Sequence, residues 1–164
     1  MNNEFLRSVK KQFNDYKALG EKTFSQLSDE QLFWRYNEES NSVATLVKHM
    51  WGNMLSRWTD FLTSDGEKDW RKRDEEFEND LKGRKEMMDK WNEGWDCLFK
   101  ALDSLTEDDL GKEVFVRQKP LTVTDAIHRQ LTHYVYHVGQ IVYIGKMLRD
   151  DQWVTLSVPK KGKN

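Results

Sequence analysis

Histidines are the residues whose spacing in this chain could support chemistry. His133 and His137 are four residues apart in a segment with helical periodicity, so their rings lie on one face of a helix. At about 100° per residue, His137 is only about 40° from His133 around the helix, whereas His128 is about 140° away. We therefore expect His128 to be a surface residue that shares no ligand with the pair. The fourth histidine, His49, lies in the middle of another helical segment.

His49, His133 and His137 all lie beside the apolar stripes of their helices, where rings from two helices can meet in the groove between them. Such a meeting requires the two helices to be neighbours, which periodicity alone does not establish. Three neutral imidazole nitrogens around a divalent ion, with one position left for water or substrate, are typical of a catalytic rather than a structural zinc site. The alternative is a set of hydrogen-bonded histidines at the edge of the core.

Three other kinds of metal site are excluded by the residues present. A zincin protease needs a glutamate directly after the first histidine of the pair, and Tyr134 is there instead. A di-iron bundle needs two Glu-x-x-His pairs, but the only acidic residue three before a histidine is Asp125, before His128. The acidic stretch 65–76 is not a calcium loop, because Trp70 replaces the required glycine and three basic residues follow it.

The elements that must position these histidines are long helices. Four segments have apolar residues in a three-four rhythm, and no strand-like alternation rivals them. They cover residues 3–27, 42–63, 78–105 and 122–149. Helices of this length, about 30 Å each, pack side by side, so we predict an all-α fold, a four-helix bundle. A short capped piece follows Ser28, and two long connections, 64–77 and 106–121, link the later helices. The second connection contains 114–116, which could form a short extended piece.

Composition limits the classes of function. The chain has 164 residues with a net charge of −2, and its mean hydropathy is −0.87. We expect one domain over residues 1–154 and a basic C-terminal tail over 155–164. Mixed charge argues against a nucleic-acid partner, and no apolar run approaches the ~20 residues of a membrane span. We expect no secretion signal, because the first seven residues contain no apolar stretch that could serve as one. The single cysteine, Cys97, fits a reducing compartment, so we predict a cytoplasmic protein.

Four further residues have mainly structural interpretations. Cys97 lies beside the apolar stripe of its helix, where a small buried hydrophobe is expected rather than a nucleophile. Trp91 and Trp95 fall on that stripe and are predicted core residues. Trp70, in a charged connection, is predicted to fold back over the bundle or to meet a second subunit.

The two histidine segments resemble the DinB-like superfamily of bacterial four-helix proteins. The matching stretches are 41–49, which ends at His49, and 133–140, which contains His133 and His137. The tract 57–68 is similar to one uncharacterised subfamily within it. The resemblance implies that the second and fourth helices lie side by side and that the three histidines bind one divalent metal ion, most commonly zinc or nickel.

The resemblance also implies a function. Characterised relatives are metal-dependent transferases or isomerases that act with low-molecular-weight thiols such as bacillithiol or mycothiol, so we expect an S-transferase acting on small electrophiles in stress or detoxification. Gln140 would bind a ligating water or orient His137, and Asn53 would contact the substrate or be a solvated groove amide. The resemblance further implies a homodimer. The alternative is a non-catalytic metal-binding bundle used for stress sensing or partner binding.

Overall fold

The computed structural model describes residues 4–159, and this part of the chain is mostly helical. The helices are α1 (Glu4–Phe24), α2 (Asp29–Phe33), α3 (Val43–Trp58), α4 (Arg84–Ser104) and α5 (Val123–Arg149). A two-stranded sheet is formed by β1 (Glu113–Val116) and β2 (Lys119–Thr122). The four long helices fall within the four segments of helical periodicity, and α2 is the short piece after Ser28. The basic residues of the predicted tail lie outside the described residues.

Side-chain caps set the starts of the helices that carry the histidines. The Ser42 hydroxyl accepts a hydrogen bond from the Thr45 backbone N–H at 3.0 Å, and α3 begins directly after it. The Thr122 hydroxyl accepts one from the Asp125 N–H at 3.0 Å at the start of α5. Such caps contribute about 1 kcal/mol each. They fix where each helix begins, and therefore which residues face the neighbouring helix.

Helix α3 packs against α4, α5 and the short helix α2, and α1 packs against the same two long helices, α4 and α5. A buried hydrogen-bond chain joins α3 to α5: the Trp58 indole donates to the Tyr134 hydroxyl at 3.1 Å, which donates to the Asn53 amide oxygen at 2.9 Å. The adjacency of the two histidine-bearing helices, which periodicity could not establish, is therefore present.

Core residues follow the apolar stripes. Trp91 and Trp95 are buried, as predicted. Cys97 is partly buried, and burial raises the pKa of its thiol, which keeps it protonated and fits a packing role. Trp70 is 56% exposed. Within residues 4–159, none of the helices combines the length and apolar character that crossing a membrane requires.

The two long connections are fastened to each other. The Asp65 carboxylate accepts hydrogen bonds from the backbone N–H groups of Arg117 at 2.9 Å and Gln118 at 2.7 Å, the turn residues between β1 and β2. Both turn residues have positive φ, 53° and 62°, and neither is glycine. The carboxylate therefore stabilises a turn that the local sequence disfavours. The extended piece predicted at 114–116 is confirmed and forms one strand of this hairpin.

Besides α1, which ends at Phe24 rather than at residue 27, helix ends differ from the predictions at two places by five residues or more. The segment predicted to run to residue 63 ends at Trp58, because Thr59 is extended and Asp60 has a positive φ of 49°. The segment predicted from residue 78 begins at Arg84, after Gly83 with a φ of 149°. Residues 74–77 form a separate 3-10 turn that packs against α3. This difference matters for the site, since the turn carries a partner of His49.

Candidate metal centre

Three histidine rings from α3 and α5 converge on one point. His49 Nε2 lies 3.3 Å from His133 Nε2, and His137 Nε2 lies 3.0 Å from His133 Nε2. The potential ligand atoms of all three lie within 4.8 Å of one another. These are the three histidines that sequence analysis singled out. His128 is exposed and packs edge-on against Phe5, with ring centroids 5.3 Å apart, so it is no part of the cluster.

The outer nitrogens of two rings are held by side-chain oxygens. His49 Nδ1 is 2.9 Å from Glu76 Oε2, and His137 Nδ1 is 2.8 Å from Gln140 Oε1. Carboxylate and amide oxygens only accept hydrogen bonds, so both Nδ1 atoms are the donors. In a neutral imidazole the other nitrogen then carries a lone pair. In their neutral forms, His49 and His137 therefore present Nε2 lone pairs towards the centre of the cluster.

Burial keeps two of the rings neutral. It lowers the pKa of His133 to about 3, with a further contribution from the neighbouring His137 and His49. It lowers the pKa of His137 to about 4, although the hydrogen bond to Gln140 acts in the opposite direction. Neutral imidazole is the form that binds a metal ion. At neutral pH these two rings are already in the ligating state.

The donor set fits a divalent metal ion. Tetrahedral nitrogen ligands at 2.0–2.1 Å from zinc are separated by roughly 3.3 Å, close to the two nitrogen–nitrogen distances in the cluster. Without a shared cation, the His133 nitrogen could donate a proton to only one of two facing lone pairs. His133 Nδ1 is also buried and lacks a hydrogen-bond partner among the described residues. A cation bound by all three Nε2 atoms would use every lone pair at the centre of the cluster and would leave His133 Nδ1 as the position that carries the hydrogen, so the three histidines could hold a metal ion.

Glu76 is a residue of the candidate site that the sequence did not predict. It is buried and pairs with Arg71 through two contacts, Nε to Oε1 at 2.7 Å and Nη2 to Oε2 at 2.9 Å. Burial alone would raise the pKa of Glu76, but the hydrogen bonds from Arg71 and His49 outweigh it and the pKa lies below its usual value. The carboxylate therefore stays ionised and holds the His49 ring in its Nδ1–H form.

Gly52 makes room for this carboxylate on α3. A Cβ atom at position 52 would lie 2.3 Å from Glu76 Oε1 and 2.7 Å from its Cδ. The carboxylate cannot move freely, because Arg71 holds it by two bonds. A glycine three residues after His49 is the sequence signal that could have pointed to a close neighbour at this place.

The same 3-10 turn covers the His49 ring. Phe77 stacks on His49 with centroids 4.7 Å apart and planes 28° from parallel. The Arg73 guanidinium in turn lies over the Phe77 ring, 5.1 Å from its centroid. His49 is therefore fixed both in its plane, by Glu76, and across its face, by Phe77.

The structure places the other two predicted site residues differently. Gln140 contacts His137 directly, which is the contact that its predicted orienting role requires, and its amide nitrogen donates to the Tyr136 hydroxyl at 3.2 Å. Asn53 is buried, and its amide oxygen is used by Tyr134. Contact between Asn53 and a substrate stays a prediction, while its observed role is in joining α3 to α5.

A groove of about 700 Å³ borders the cluster. It lies between α5 and the loop after α2, and Gln140 is part of its wall. The site therefore combines a set of nitrogen donors with an adjacent space large enough for a small molecule.

The chain matches one protein family over residues 1–162, described as Protein of unknown function (DUF1572). Since the match covers nearly the whole chain, the protein belongs to this family. No curated protein matches it.

Proposed function

We propose that this member of the DUF1572 family binds one divalent metal ion, zinc or nickel, through His49, His133 and His137, and transfers a thiol to small electrophiles. The observation that carries the proposal is the convergence of three Nε2 atoms, two of them with their Nδ1 hydrogens already engaged. That arrangement leaves nitrogen lone pairs directed at one point, which a simple set of core histidines does not need.

The proposal includes the fold. We infer that the four long helices form a single-domain four-helix bundle of the DinB-like type over residues 1–154, with 155–164 as a tail. Support comes from the packing of α3 against both α4 and α5 and of α1 against the same two helices. The segments that resemble the superfamily, 41–49 and 133–140, carry the three converging histidines.

The chain's own residues prepare and hold the site. Glu76 and Gln140 keep two rings in the required tautomer, and the Trp58–Tyr134–Asn53 chain holds α3 against α5 at the depth of the cluster. A divalent ion bound there would supply positive charge that lowers the pKa of a thiol at its remaining position. Three protein donors leave such a position, which is the pattern of catalytic rather than structural sites.

The proposed reaction is a nucleophilic transfer. The thiol releases its proton to solvent, and its sulfur forms a bond to the electrophilic carbon. In a substitution, the leaving group departs with the electron pair of the bond that breaks. In an addition to an activated double bond, the π electron pair moves to the neighbouring atom, which takes up a proton from solvent. The electrophile would be received in the neighbouring groove.

The test uses the full chain loaded with zinc or with nickel. It is incubated with bacillithiol, mycothiol or glutathione and with 1-chloro-2,4-dinitrobenzene, and the thioether is measured by absorbance and mass spectrometry. We expect turnover that a chelator abolishes and that His128→Ala retains. Metal bound at one equivalent with no turnover for any of several thiols and electrophiles would overturn the transferase and favour the alternative, a non-catalytic metal-binding bundle.

A further inference from the structure

The groove beside the histidine cluster collects exposed apolar side chains. Ten large hydrophobic residues are exposed among the described residues, and five of them line this one groove. They are Trp34, Tyr36, Tyr136, Tyr143 and Met147. A volume of about 700 Å³ lined mainly by aromatic and aliphatic groups is typical of a small-molecule site.

The groove lies one helical turn from the cluster on both helices. Leu46, in its floor, is three residues before His49 on α3, and Gln140, in its wall, is three residues after His137 on α5. Gln140 also connects the two sites chemically, since it accepts from His137 and donates to the Tyr136 hydroxyl. A molecule in the groove would therefore touch the side chains that hold His137.

The charge of the groove lining limits the class of ligand that the groove could bind. Among the described residues that line the groove, Glu39 is the one charged side chain, and neither lysine nor arginine is present. An anionic group placed there would meet a carboxylate and aromatic faces, and residues 4–159 provide no cation in the lining to pair with it. The polar groups that remain are neutral, such as the Gln140 amide and the tyrosine hydroxyls.

We infer that this groove binds a small aromatic molecule without negative charge. On the proposed function, which this inference deepens, the groove receives the electrophilic substrate and not an anionic thiol. Its flat aromatic walls favour a planar ligand, because aromatic pairs stack or meet edge to face. The neutral polar groups next to the cluster orient the end of the ligand that faces the histidines.

Two probes with the same ring system test the charge preference. N-phenyl-1-naphthylamine is neutral, and 1-anilinonaphthalene-8-sulfonate differs from it by one sulfonate. Each is titrated into the full chain and followed by probe fluorescence and calorimetry. We expect the neutral probe to bind at one per chain and at least about tenfold more tightly than the sulfonate, with Glu39→Gln narrowing the difference. Equal affinity for the two probes would overturn the inference.

Variants locate the binding. Tyr143→Ala should weaken neutral-probe binding by about tenfold, because a stacking wall is lost. Trp70→Ala is the matched control, since Trp70 is a 56% exposed aromatic outside this groove. Weakening by both variants to the same degree, or by neither, would show that the probe binds elsewhere and would overturn the inference.

Further measurements separate this inference from the proposed function. The neutral probe should bind His133→Ala in the presence of a chelator as tightly as it binds the unaltered chain, because His133 does not line the groove. In the unaltered chain loaded with metal, probe binding without any thiol transfer would overturn the proposed function and leave the inference about the groove in place. Analytical ultracentrifugation provides the remaining test, because the groove could instead be an interface between two copies of the chain. If the chain is a dimer, and both the Tyr143→Ala substitution and the neutral probe dissociate it, the inference would be wrong.

Discussion

The histidine cluster is supported on its two helices by different kinds of hydrogen bond. On α3, His49 is held by the buried carboxylate of Glu76, which comes from the connection between α3 and α4 and is itself paired with Arg71. On α5, His137 is held by the neutral amide of Gln140, a partly exposed residue of the same helix at the groove wall.

The charged support of His49 and the neutral support of His137 are suited to different roles. Hydrogen bonds with charged partners are roughly twice as strong as neutral ones, so the Glu76 side fixes one ring firmly and depends on distant parts of the chain. The Gln140 side is weaker, local and in contact with the groove, so it can adjust when a ligand enters. We expect the first side to set metal affinity and the second to respond to the substrate.

The largest loss of bound metal should follow removal of one histidine ring from either helix. His49→Ala and His137→Ala should each lower bound metal to near background, because two nitrogen donors replace three. Elemental analysis of the purified protein and calorimetric titration with zinc measure this. His128→Ala, on the same helix as His137, should retain its metal. Equal metal content in all three variants would show that the cluster is not the site.

The second largest effect on zinc binding should follow removal of the Glu76 charge that supports His49. Glu76→Gln should weaken zinc binding by about 10- to 100-fold, since an outer partner of a ligating histidine is altered. The free energy of unfolding should also fall, by up to about 3 kcal/mol, because the buried Arg71 side chain loses its nearer counter-charge and keeps only the Glu67 carboxylate, at 3.7 Å. Calorimetry and urea unfolding measure the two effects.

The neighbouring Glu75→Gln is the control for this change, as the Glu75 side chain is 65% exposed and forms only a surface ion pair with Lys72. Unchanged zinc affinity in Glu76→Gln would mean that the carboxylate supports the fold and not the centre.

A smaller effect should come from crowding the carboxylate rather than removing it. Gly52→Ala places a methyl group where Glu76 Oε1 lies, so the free energy of unfolding should fall by about 1–3 kcal/mol and zinc binding should weaken. Gly139→Ala is the matched helical control, because a Cβ there meets no atom within 4 Å. It should stabilise the protein, by up to about 1 kcal/mol, through helix propensity. The same loss in both variants would contradict the proposed clash.

The smallest effect on zinc affinity should come from removal of the neutral Gln140 amide that supports His137. Gln140→Ala removes one hydrogen bond to His137, worth about 1 kcal/mol, so zinc affinity should fall only a few-fold. Calorimetry under the conditions used for Glu76→Gln gives the comparison directly. A loss as large as that of Glu76→Gln would show that the two supports are equivalent and would remove the distinction between them.

Local geometry explains which parts of the site could be predicted. His133 and His137 belong to one helix, so their common face follows from sequence spacing alone, and so does the exclusion of His128. His49 joins them only if α3 and α5 are neighbours, and this adjacency came from the resemblance. Pairing into a homodimer and a cytoplasmic location stay predictions.

Glu76 could not be found from spacing, because it approaches His49 from 27 residues away through a turn that has no periodic pattern. The hairpin turn was equally hidden. Its residues Arg117 and Gln118 are poor candidates for positive φ, and the Asp65 carboxylate that stabilises them belongs to another connection. Both cases are long-range contacts that override local preference.

Gly52 ties the identities of two distant positions together. A family member with a larger residue at the position of Gly52 would have no space for a carboxylate at the position of Glu76, and must hold its first histidine by other means. The two positions should therefore vary together among relatives. A glycine in the middle of a helix lowers helix stability. Its presence at the position of Gly52 would therefore indicate which relatives hold the first histidine with a carboxylate.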